Sequence, residues 1–408
     1  MEPTEILSGS SIAAVNNLAD RRVYSQDINF GIRESIFTNG TWSGGDDESI
    51  IGIAKQNSPI AACNGKGLDQ IRVYFLNQNS ELQERWWSID KAQNGLRDAK
   101  PAQPNNPWYD GPIDDQKIQV AAYSNIAAFV IDDSVTPIAV NLYVQGQDNV
   151  IQEYQYNGKQ NWFPNKTFGT ALAGTKIAAA VTKDGNGTHV RVYYQDVNNH
   201  IIENFYDPRS GWGIGQYAST GEAPFCGLAC LTVLDPPSTY RVYYENQASQ
   251  ITEMIWDGNS WSKGQTFGPV IQGSNCAAIN WTGPQLRLYA QNGLDGTSLT
   301  EYKNSGGVWV SGATVPPLHG PVTKTPTTRQ LDKSQLMATP TQDKTSNQED
   351  RILQSIRAAA MSYNVPYSTW TTTQKAYSGH LEYTESIYGL VRGSHGNWHT
   401  SWQFRRFR

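Results

Sequence analysis

The sequence predicts an all-β fold, a six-bladed β-propeller of four-stranded antiparallel blades followed by a mostly disordered C-terminal tail. Three observations carry that prediction. Phrases beginning at residues 22, 72, 141, 191, 241 and 287 each reach a Glu twelve or fourteen residues later, a repeat of about 50 residues, and a fixed period of that size belongs to stacked supersecondary units. A short segment of small and apolar residues precedes each phrase. Finally, 21 Tyr, 13 Trp and 36 Gly among 408 residues favour strands joined by tight turns over helices.

The fourth copy shows the pattern in full. RVYYQDVNNHIIENFYDPRSGW runs from Arg191 through Glu203 and Tyr206 to Trp212, and RVYYENQASQITEMIWDGNSW repeats it from Arg241 through Glu253 and Trp256 to Trp261. The first copy holds Arg22, Glu34, Phe37 and Trp42, the second Arg72, Glu84 and Trp87, and the sixth Arg287, Glu301 and Trp309. The third keeps Glu153, Tyr156 and Trp162 but carries Asn141 where the others have Arg. About twenty extra residues separate the second and third copies. They fall in DKAQNGLRDAKPAQPNNPWYDGP, after Glu84, whose Pro and Asn content predicts a surface loop.

The small-residue segments predict the innermost strand of each blade: SIAAV ending at Val15, PIAAC at Cys63, IQVAAY at Tyr123, KIAAAV at Val181, CGLAC at Cys230 and NCAAI at Ile279. Ala is a poor strand former, so its recurrence calls for crowding around an axis where only small side chains fit. RVYY, a polar turn and the strand ending at Glu supply the next two strands, and space remains for a fourth.

An odd-length turn centred near Val197 places Arg191 directly opposite Glu203 on one face of a hairpin, Cβ atoms about 5 Å apart. The longer spacing in the sixth copy preserves the alternation, so Arg287 and Glu301 also share a face. The aromatic three residues after Glu has odd parity and is expected where the strand ends or bends. One Arg–Glu pair alone reads as a surface ion pair of about 0 to 1 kcal/mol, but Glu in all six copies and Arg in five asks for more. A guanidinium fork beside a carboxylate sets fixed donors next to fixed acceptors, which suits adjacent sugar hydroxyls, and an aromatic ring covers an apolar C–H or methyl face. The set is suited to a monosaccharide. Each closing Trp serves equally well as a blade-packing residue.

Six in-phase repeats of R-[VL]-Y-x-[QNE], then [IL]-x-E-x-x-[aromatic] and a Trp, resemble the fungal fucose-specific lectins, the Aleuria aurantia lectin type, over about residues 5 to 317. The resemblance implies fucose sites between adjacent blades, with Arg and Glu from one blade, a Trp from the next, and aromatic neighbours on the fucose methyl. Carried onto this chain, it joins Arg191, Glu203 and Tyr206 to Trp261, and Arg241, Glu253 and Trp256 to Trp309. It joins Arg72, Glu84 and Trp87 to Trp162, and Arg287 and Glu301 to Trp42, with Asn304 in place of the aromatic. Glu153 and Tyr156 pair with Trp212 in a site expected to be weak or silent, because Asn141 lacks the charge and fork of Arg. Arg22, Glu34 and Phe37 need a Trp from the second copy, where Trp108 is the candidate. The function implied is multivalent binding of fucosylated glycans and glycoproteins, and the resemblance also implies a homodimer.

Two other readings are weaker. A propeller glycoside hydrolase needs one asymmetric pair of carboxylates, whereas one carboxylate recurs in every phrase; a scaffolding propeller of the WD40 or kelch kind lacks its Trp-Asp or double-Gly signature. No cofactor or metal is implied. A formal charge of −5 gives no reason to expect nucleic acid. No run approaches a membrane span, and MEPTEILSGS lacks the basic and apolar regions of a signal peptide. These features read as a soluble chain, cytoplasmic or exported to the cell surface by an unconventional route. Cys63, Cys226, Cys230 and Cys276 lack metal-site spacing and read as buried thiols.

The expected domains are residues 1–317, the propeller, and residues 318–408, a polar Pro/Thr-rich tail with a short helical stripe over 350–363. Of 32 Lys and Arg and 37 Asp and Glu, the tail holds 11 and 6, leaving 21 against 31 in an acidic propeller.

Overall fold

The structure is a computed structural model, in which residues 6–17, 19–88, 101–103, 106–158, 161–219, 221–233, 239–281, 285–293, 297–316, 370–377, 380–393 and 396–407 are described. Met1–Thr323 and Lys324–Arg408 form two compact units.

The first unit is a six-bladed propeller of antiparallel sheets. Blade 1 comprises β1 (Ile12–Asn16), β2 (Arg21–Gln26), β3 (Gly31–Thr38) and β4 (Thr41–Gly44), with β5 (Ile50–Ile53) also paired to β3. Blade 2 orders β6 (Ala61–Gly65), β7 (Gln70–Leu76), β8 (Leu82–Ser88), β10 (Asn106–Asp110) and β9 (Pro101–Gln103). Blade 3 is β11 (Ile126–Asp132), β12 (Ala139–Gln145), β13 (Val150–Tyr156) and β14 (Phe163–Thr170), and blade 4 is β15 (Ile177–Asp184), β16 (Gly187–Gln195), β17 (Ile201–Asp207) and β18 (Gly211–Ala218). Blade 5 follows as β19 (Leu228–Val233), β20 (Thr239–Glu245), β21 (Ile251–Trp256) and β22 (Trp261–Phe267), and blade 6 as β23 (Cys276–Trp281), β24 (Gln285–Gln291), β25 (Leu299–Ser305) and β26 (Val308–Val315).

Two sequence assignments change. The inner strand of blade 3 is IAAFVID at β11, not IQVAAY. The run IQVAAYSNIAAF holds two Ala-Ala pairs, and the first lies in the connection, where the Ala121 N–H donates to the Gln145 carbonyl. The segment NPWYD, read as part of a surface loop, is instead the outer strand β10, paired to β8 through Tyr109↔Trp86 and Asp110↔Arg85. Trp108 within it is almost fully buried.

Buried apolar residues divide into six clusters, each between two neighbouring blades. The sixth joins Ile6, Ile12 and Val23 of blade 1 to Ala277, Ile279 and Tyr289 of blade 6. No blade has a core of its own, as in other repeat folds whose stability resides at the interfaces. Inner strands touch their neighbours around the whole ring, β23 against β1 included, and their Ala residues allow that approach.

The residue four after each phrase's first residue is a latch between blades. Gln26, Gln145, Gln195 and Gln291 donate to the carbonyls of Lys55, Leu172, Ala223 and Leu7 on the following blade, at 2.7 to 3.1 Å. Their Oε1 atoms accept from the N–H of Ser58, Gly174, Cys226 and Gly9. Glu245 accepts from the Gly273 N–H in blade 5, and Leu76 breaks the pattern in blade 2.

All four cysteines are free thiols, with Cys63, Cys226 and Cys276 buried and Cys230 half-buried. Among the described residues no helix is long and apolar enough to cross a membrane. The helix expected over 350–363, and most of the tail expected to be disordered, lie outside the described residues. The described part of the second unit is a three-stranded antiparallel meander, β27 (Trp370–Tyr377), β28 (His380–Gly393) and β29 (Gly396–Phe407). It is rich in Thr, Tyr and Trp, residues that favour strands.

Gln291 latches the last blade to the first, so Gln291→Leu should leave the Gly9 N–H without its acceptor, while the Leu7 carbonyl keeps only the Ser10 N–H. An unpaired group costs about 1 to 3 kcal/mol, and the denaturant midpoint is expected to fall by the equivalent. An unchanged midpoint would show that the ring closes without this latch.

Candidate functional site

Side chains alternate along a strand, so the phrase R-V-Y-x-Q is read from two sides. The first and third residues face the following blade, while the residue just before the phrase faces the preceding one.

The Arg and Glu do share a face, but they are not directly opposite. In blade 4, Tyr193 pairs with Glu203 and Arg191 with Phe205; the same offset sets Tyr24, Tyr74, Tyr143, Tyr243 and Tyr289 against Glu34, Glu84, Glu153, Glu253 and Glu301. The turn explains the shift. It spans Asp196 to His200, with Asn199 in the left-handed region at φ 67° and the Asp196 carboxylate accepting from the Asn198 N–H. Its centre is therefore one residue later than Val197. Turns in blades 1, 2 and 5 use Asp27, Asn77 and Asn246 in the same way. The longer turn in blade 6 keeps the parity as expected.

Each buried Tyr donates its hydroxyl to the Glu opposite, at 2.5 to 3.2 Å in all six blades. These tyrosines are the residues that reading the sequence for an Arg–Glu pair misses, although the invariant third letter of the phrase was available as the signal. The Arg contact is closest in blades 2 and 5, where Arg72 and Arg241 approach Glu84 and Glu253 at 2.6 and 2.7 Å. Arg191 lies 3.2 Å from Glu203 and also pairs with Asp207, which binds His189. Arg22 and Arg287 stand at 3.7 Å from Glu34 and Glu301. Asn141 donates to Glu153 at 2.8 Å.

A second missed signal is Trp-x-x-Gly, present in every copy but the third: Gly45, Gly111, Gly215, Gly264 and Gly312. In blades 4, 5 and 6 the outer strand is irregular opposite the Glu, a bulge of the kind that re-aims groups beside a site. A Cβ at Gly111, Gly215, Gly264 or Gly312 would collide with the Glu carboxylate. In blade 3 the position is Asn165, whose amide donates to the second oxygen of Glu153 at 2.5 Å. Burial raises the Glu34 and Glu203 carboxyls above the ordinary range, against the opposing pull of their Arg and hydrogen-bond partners. The Glu34 partners include Trp108.

The closing Trp of each blade packs toward the blade before. Tyr24, Tyr74, Tyr193, Tyr243 and Tyr289 meet Trp108, Trp162, Trp261, Trp309 and Trp42 edge-on, centroids 5.7 to 6.3 Å apart. In blade 3, Tyr143 and Trp212 share one apolar cluster. The cross-blade partners expected from the sequence therefore come together, and Trp108 takes the place left doubtful by the insertion.

The aromatic three residues after Glu does not join its own blade's Glu. Phe37, Tyr206 and Trp256 are cross-strand partners of Trp42, Trp212 and Trp261, and Tyr156 stacks on Trp162. Residues directly opposite share a face, so each fronts the preceding blade. Tyr206 thus joins the cluster of Tyr143, Trp256 packs on the Trp261 that meets Tyr193, Tyr156 lies beside Arg72, Trp87 lines one cleft with Glu34, and Asn304 is opposite the Trp309 that meets Tyr243. The odd parity is resolved by a change of cleft, with no bend required.

Each cleft therefore has a polar wall from one blade and an aromatic wall from the next. The first is an open cleft of about 360 Å³ lined by Arg22, Glu34, Ile71, Trp87 and Trp108. Polar atoms without hydrogen-bond partners gather in these clefts. Trp162 Nε1 and Glu84 Oε2 are both unpaired in the second, Asn141 Oδ1 in the third, Arg241 Nε in the fifth, and Trp42 Nε1 and Arg287 Nε in the sixth. Native proteins leave few such groups unsatisfied, and those they leave call for an explanation.

The model of the fungal fucose-specific lectins matches residues 6–318. The chain belongs to that family. It is 35% identical over 305 residues to a fucose-specific lectin of Aspergillus oryzae, covering 73% of this chain and 92% of that protein. It is 34% identical over 309 residues to the fucose-specific lectin of Aspergillus fumigatus, with the same coverage. Among solved structures, the SapL1 lectin in complex with alpha methyl fucoside aligns with a TM-score of 0.67 at 33% identity, over 77% of this chain and 98% of that one. The six-bladed lectin of Aleuria aurantia aligns with a TM-score of 0.65 at 28% identity, over 78% and 100%.

Within this lectin-family propeller, no group of three or more His, Cys, Asp or Glu among the described residues is placed to hold a metal ion.

Gly215→Ala tests the dependence of the Glu geometry on its bulge. The added methyl must displace the Glu203 carboxylate from Tyr193, and overpacking of this kind costs about 1 to 3 kcal/mol. A denaturation curve unchanged from wild type would contradict the close approach.

Proposed function

We propose that this chain is a multivalent, non-catalytic lectin that binds L-fucose on fucosylated glycans and glycoproteins in clefts between blades. The observation that carries the reading is the second cleft. There an unpaired indole N–H and an unpaired carboxylate oxygen, from Trp162 and Glu84, stand on opposite walls beside Arg72 and Tyr156. A sugar hydroxyl accepts from the first and donates to the second, and the aromatic wall suits the 6-deoxy methyl that distinguishes fucose from most hexoses. The relatives named fucose-specific lectins supply the choice of sugar.

The clefts headed by Arg22, Arg72, Arg191 and Arg241 are the principal sites. The third is weaker, because Asn141 offers a neutral amide without the fork of Arg, and Asn165 already occupies the second oxygen of Glu153. Hydrolysis is not proposed, since the carboxylate recurs as one member of a Tyr-and-Arg set in blade after blade, where hydrolysis calls for one asymmetric acid and base. Small sugar sites typically reach Kd values of ~1 mM to ~1 μM, and engaging several on one glycan-bearing surface raises avidity by ~10² to 10⁴.

Glycan-array binding decides the matter. Wild type should mark fucosylated glycans, and Arg191→Ala combined with Arg241→Ala should lower titrated stoichiometry for a methyl fucoside by two. Array silence with an intact fold, or release of free fucose from an aryl fucoside, would overturn the reading.

Acidification supplies a second test. Glu34 and Glu203 have raised pKa values, so they protonate before ordinary glutamates as pH falls, and a neutral carboxyl is a poorer acceptor for sugar hydroxyls. Binding in the first and fourth clefts should weaken from above the usual Glu range downward. These two groups add stability at low pH, and that contribution is lost as pH rises through their raised pKa values. Sugar binding should therefore fail on acidification before unfolding does. Equal binding at pH 7 and pH 4 would contradict this.

A further inference from the structure

The sixth cleft differs from the other five at one position. The residue preceding each phrase faces the cleft of the blade before it, and it is apolar or aromatic in five clefts: Ile71, Val140, Val190, Tyr240 and Leu286. In the cleft between blades 6 and 1 it is Arg21. Its side chain is buried, its Nε lies 3.0 Å from Glu301 Oε2, and Nη2 lies 3.5 Å from Oε1. The guanidinium carbon stands 3.5 Å from the centroid of Phe37 and 5.3 Å from that of Trp42. Arg21 thus covers the aromatic wall and engages both oxygens of the carboxylate that in the other clefts faces a neutral side chain.

We propose that Arg21 is an internal plug that closes the sixth cleft to fucose, and that it is the specificity-determining residue of that cleft. The inference rests on the lectin reading of the other clefts. A neutral sugar entering here has to displace a buried guanidinium from a carboxylate and leave that charge unpaired, a strongly unfavourable exchange. The remainder of the site is retained. Tyr289 donates to Glu301, Trp42 meets Tyr289 edge-on, and neither Trp42 Nε1 nor Arg287 Nε makes a hydrogen bond, the latter holding Glu301 only as an ion pair at 3.7 Å. Both are donors, and Arg21, itself a donor, cannot satisfy them. Arg287 is also held below its ordinary pKa by burial, with the Arg21 charge adding to the effect. Replacing Arg21 by the Ile found at the equivalent position of the first cleft leaves the carboxylate to Arg287, 3.7 Å away, and to a ligand, and exposes Phe37 and Trp42.

The test is a pair of crystals, wild type and Arg21→Ile, soaked in α-methyl fucoside at a concentration that fills the fourth and fifth clefts, with titrated stoichiometry measured in parallel. The wild-type sixth cleft should be empty, the Arg21→Ile cleft filled, and the stoichiometry should rise by one. Filled fourth and fifth clefts in the variant show that it folds. Density for the sugar in the wild-type sixth cleft, with Arg21 swung aside, overturns the inference. So does an empty sixth cleft in Arg21→Ile beside filled neighbours, which would place the block elsewhere. Empty clefts throughout both crystals would overturn the lectin reading and this inference with it.

Discussion

A carboxylate that water scarcely reaches is the constraint on which the rest depends. Each blade buries a Glu opposite its Tyr, and a buried charge is tolerated only where hydrogen bonds or an opposite charge replace its hydration. The Tyr opposite supplies one bond in every blade, Arg supplies a bond or an ion pair and Asn141 a bond, and the bulged outer strand supplies the space, with backbone N–H groups as well in blades 4 and 5. An acceptor held this way is pre-organised, so a ligand hydroxyl finds it already oriented. The same arrangement explains why Gly follows Trp at a fixed distance and why Asn165 can replace it only by becoming a donor.

Because the polar wall belongs to one blade and the aromatic wall to the next, the site exists only when blades associate. The apolar clusters and the clefts share the same interfaces. The Gln latches join successive blades, and the apolar clusters lie between them, with no strand exchanged between the first and last blades among the described residues. Closure is made by side chains, namely Gln291 with Leu7 and Gly9, Asn16 with the Asn280 carbonyl, and Arg21 with Glu301. The last contact sets the sixth cleft apart, because there the carboxylate is held by an arginine from each of two blades.

Much of this was legible in the sequence. The period identified six blades, and the family resemblance implied the approach of Trp162, Trp261, Trp309 and Trp42 to the blade before, where each meets a buried Tyr. What failed were steps that depend on one residue of register. The capped turn at Asp196 moved the hairpin centre by one residue and replaced Arg191 by Tyr193 opposite Glu203. Parity placed Tyr206 on the far face, which in a propeller means the neighbouring cleft, and only the three-dimensional ring makes that evident. Trp108 was obscured because Pro and Asn around it signal a loop, while burial against Tyr24 made a strand of it. Arg21 was unreadable beside Arg22, since two adjacent arginines on a strand serve two different clefts.

The central claim is that each site is split across blades, and Trp261→Ala measures it most directly. In crystals soaked with α-methyl fucoside, the cleft headed by Arg191 and Glu203 should lose its sugar while the cleft headed by Arg241 and Glu253, in the same blade as Trp261, keeps it. Loss at Arg241 with retention at Arg191 would contradict the account.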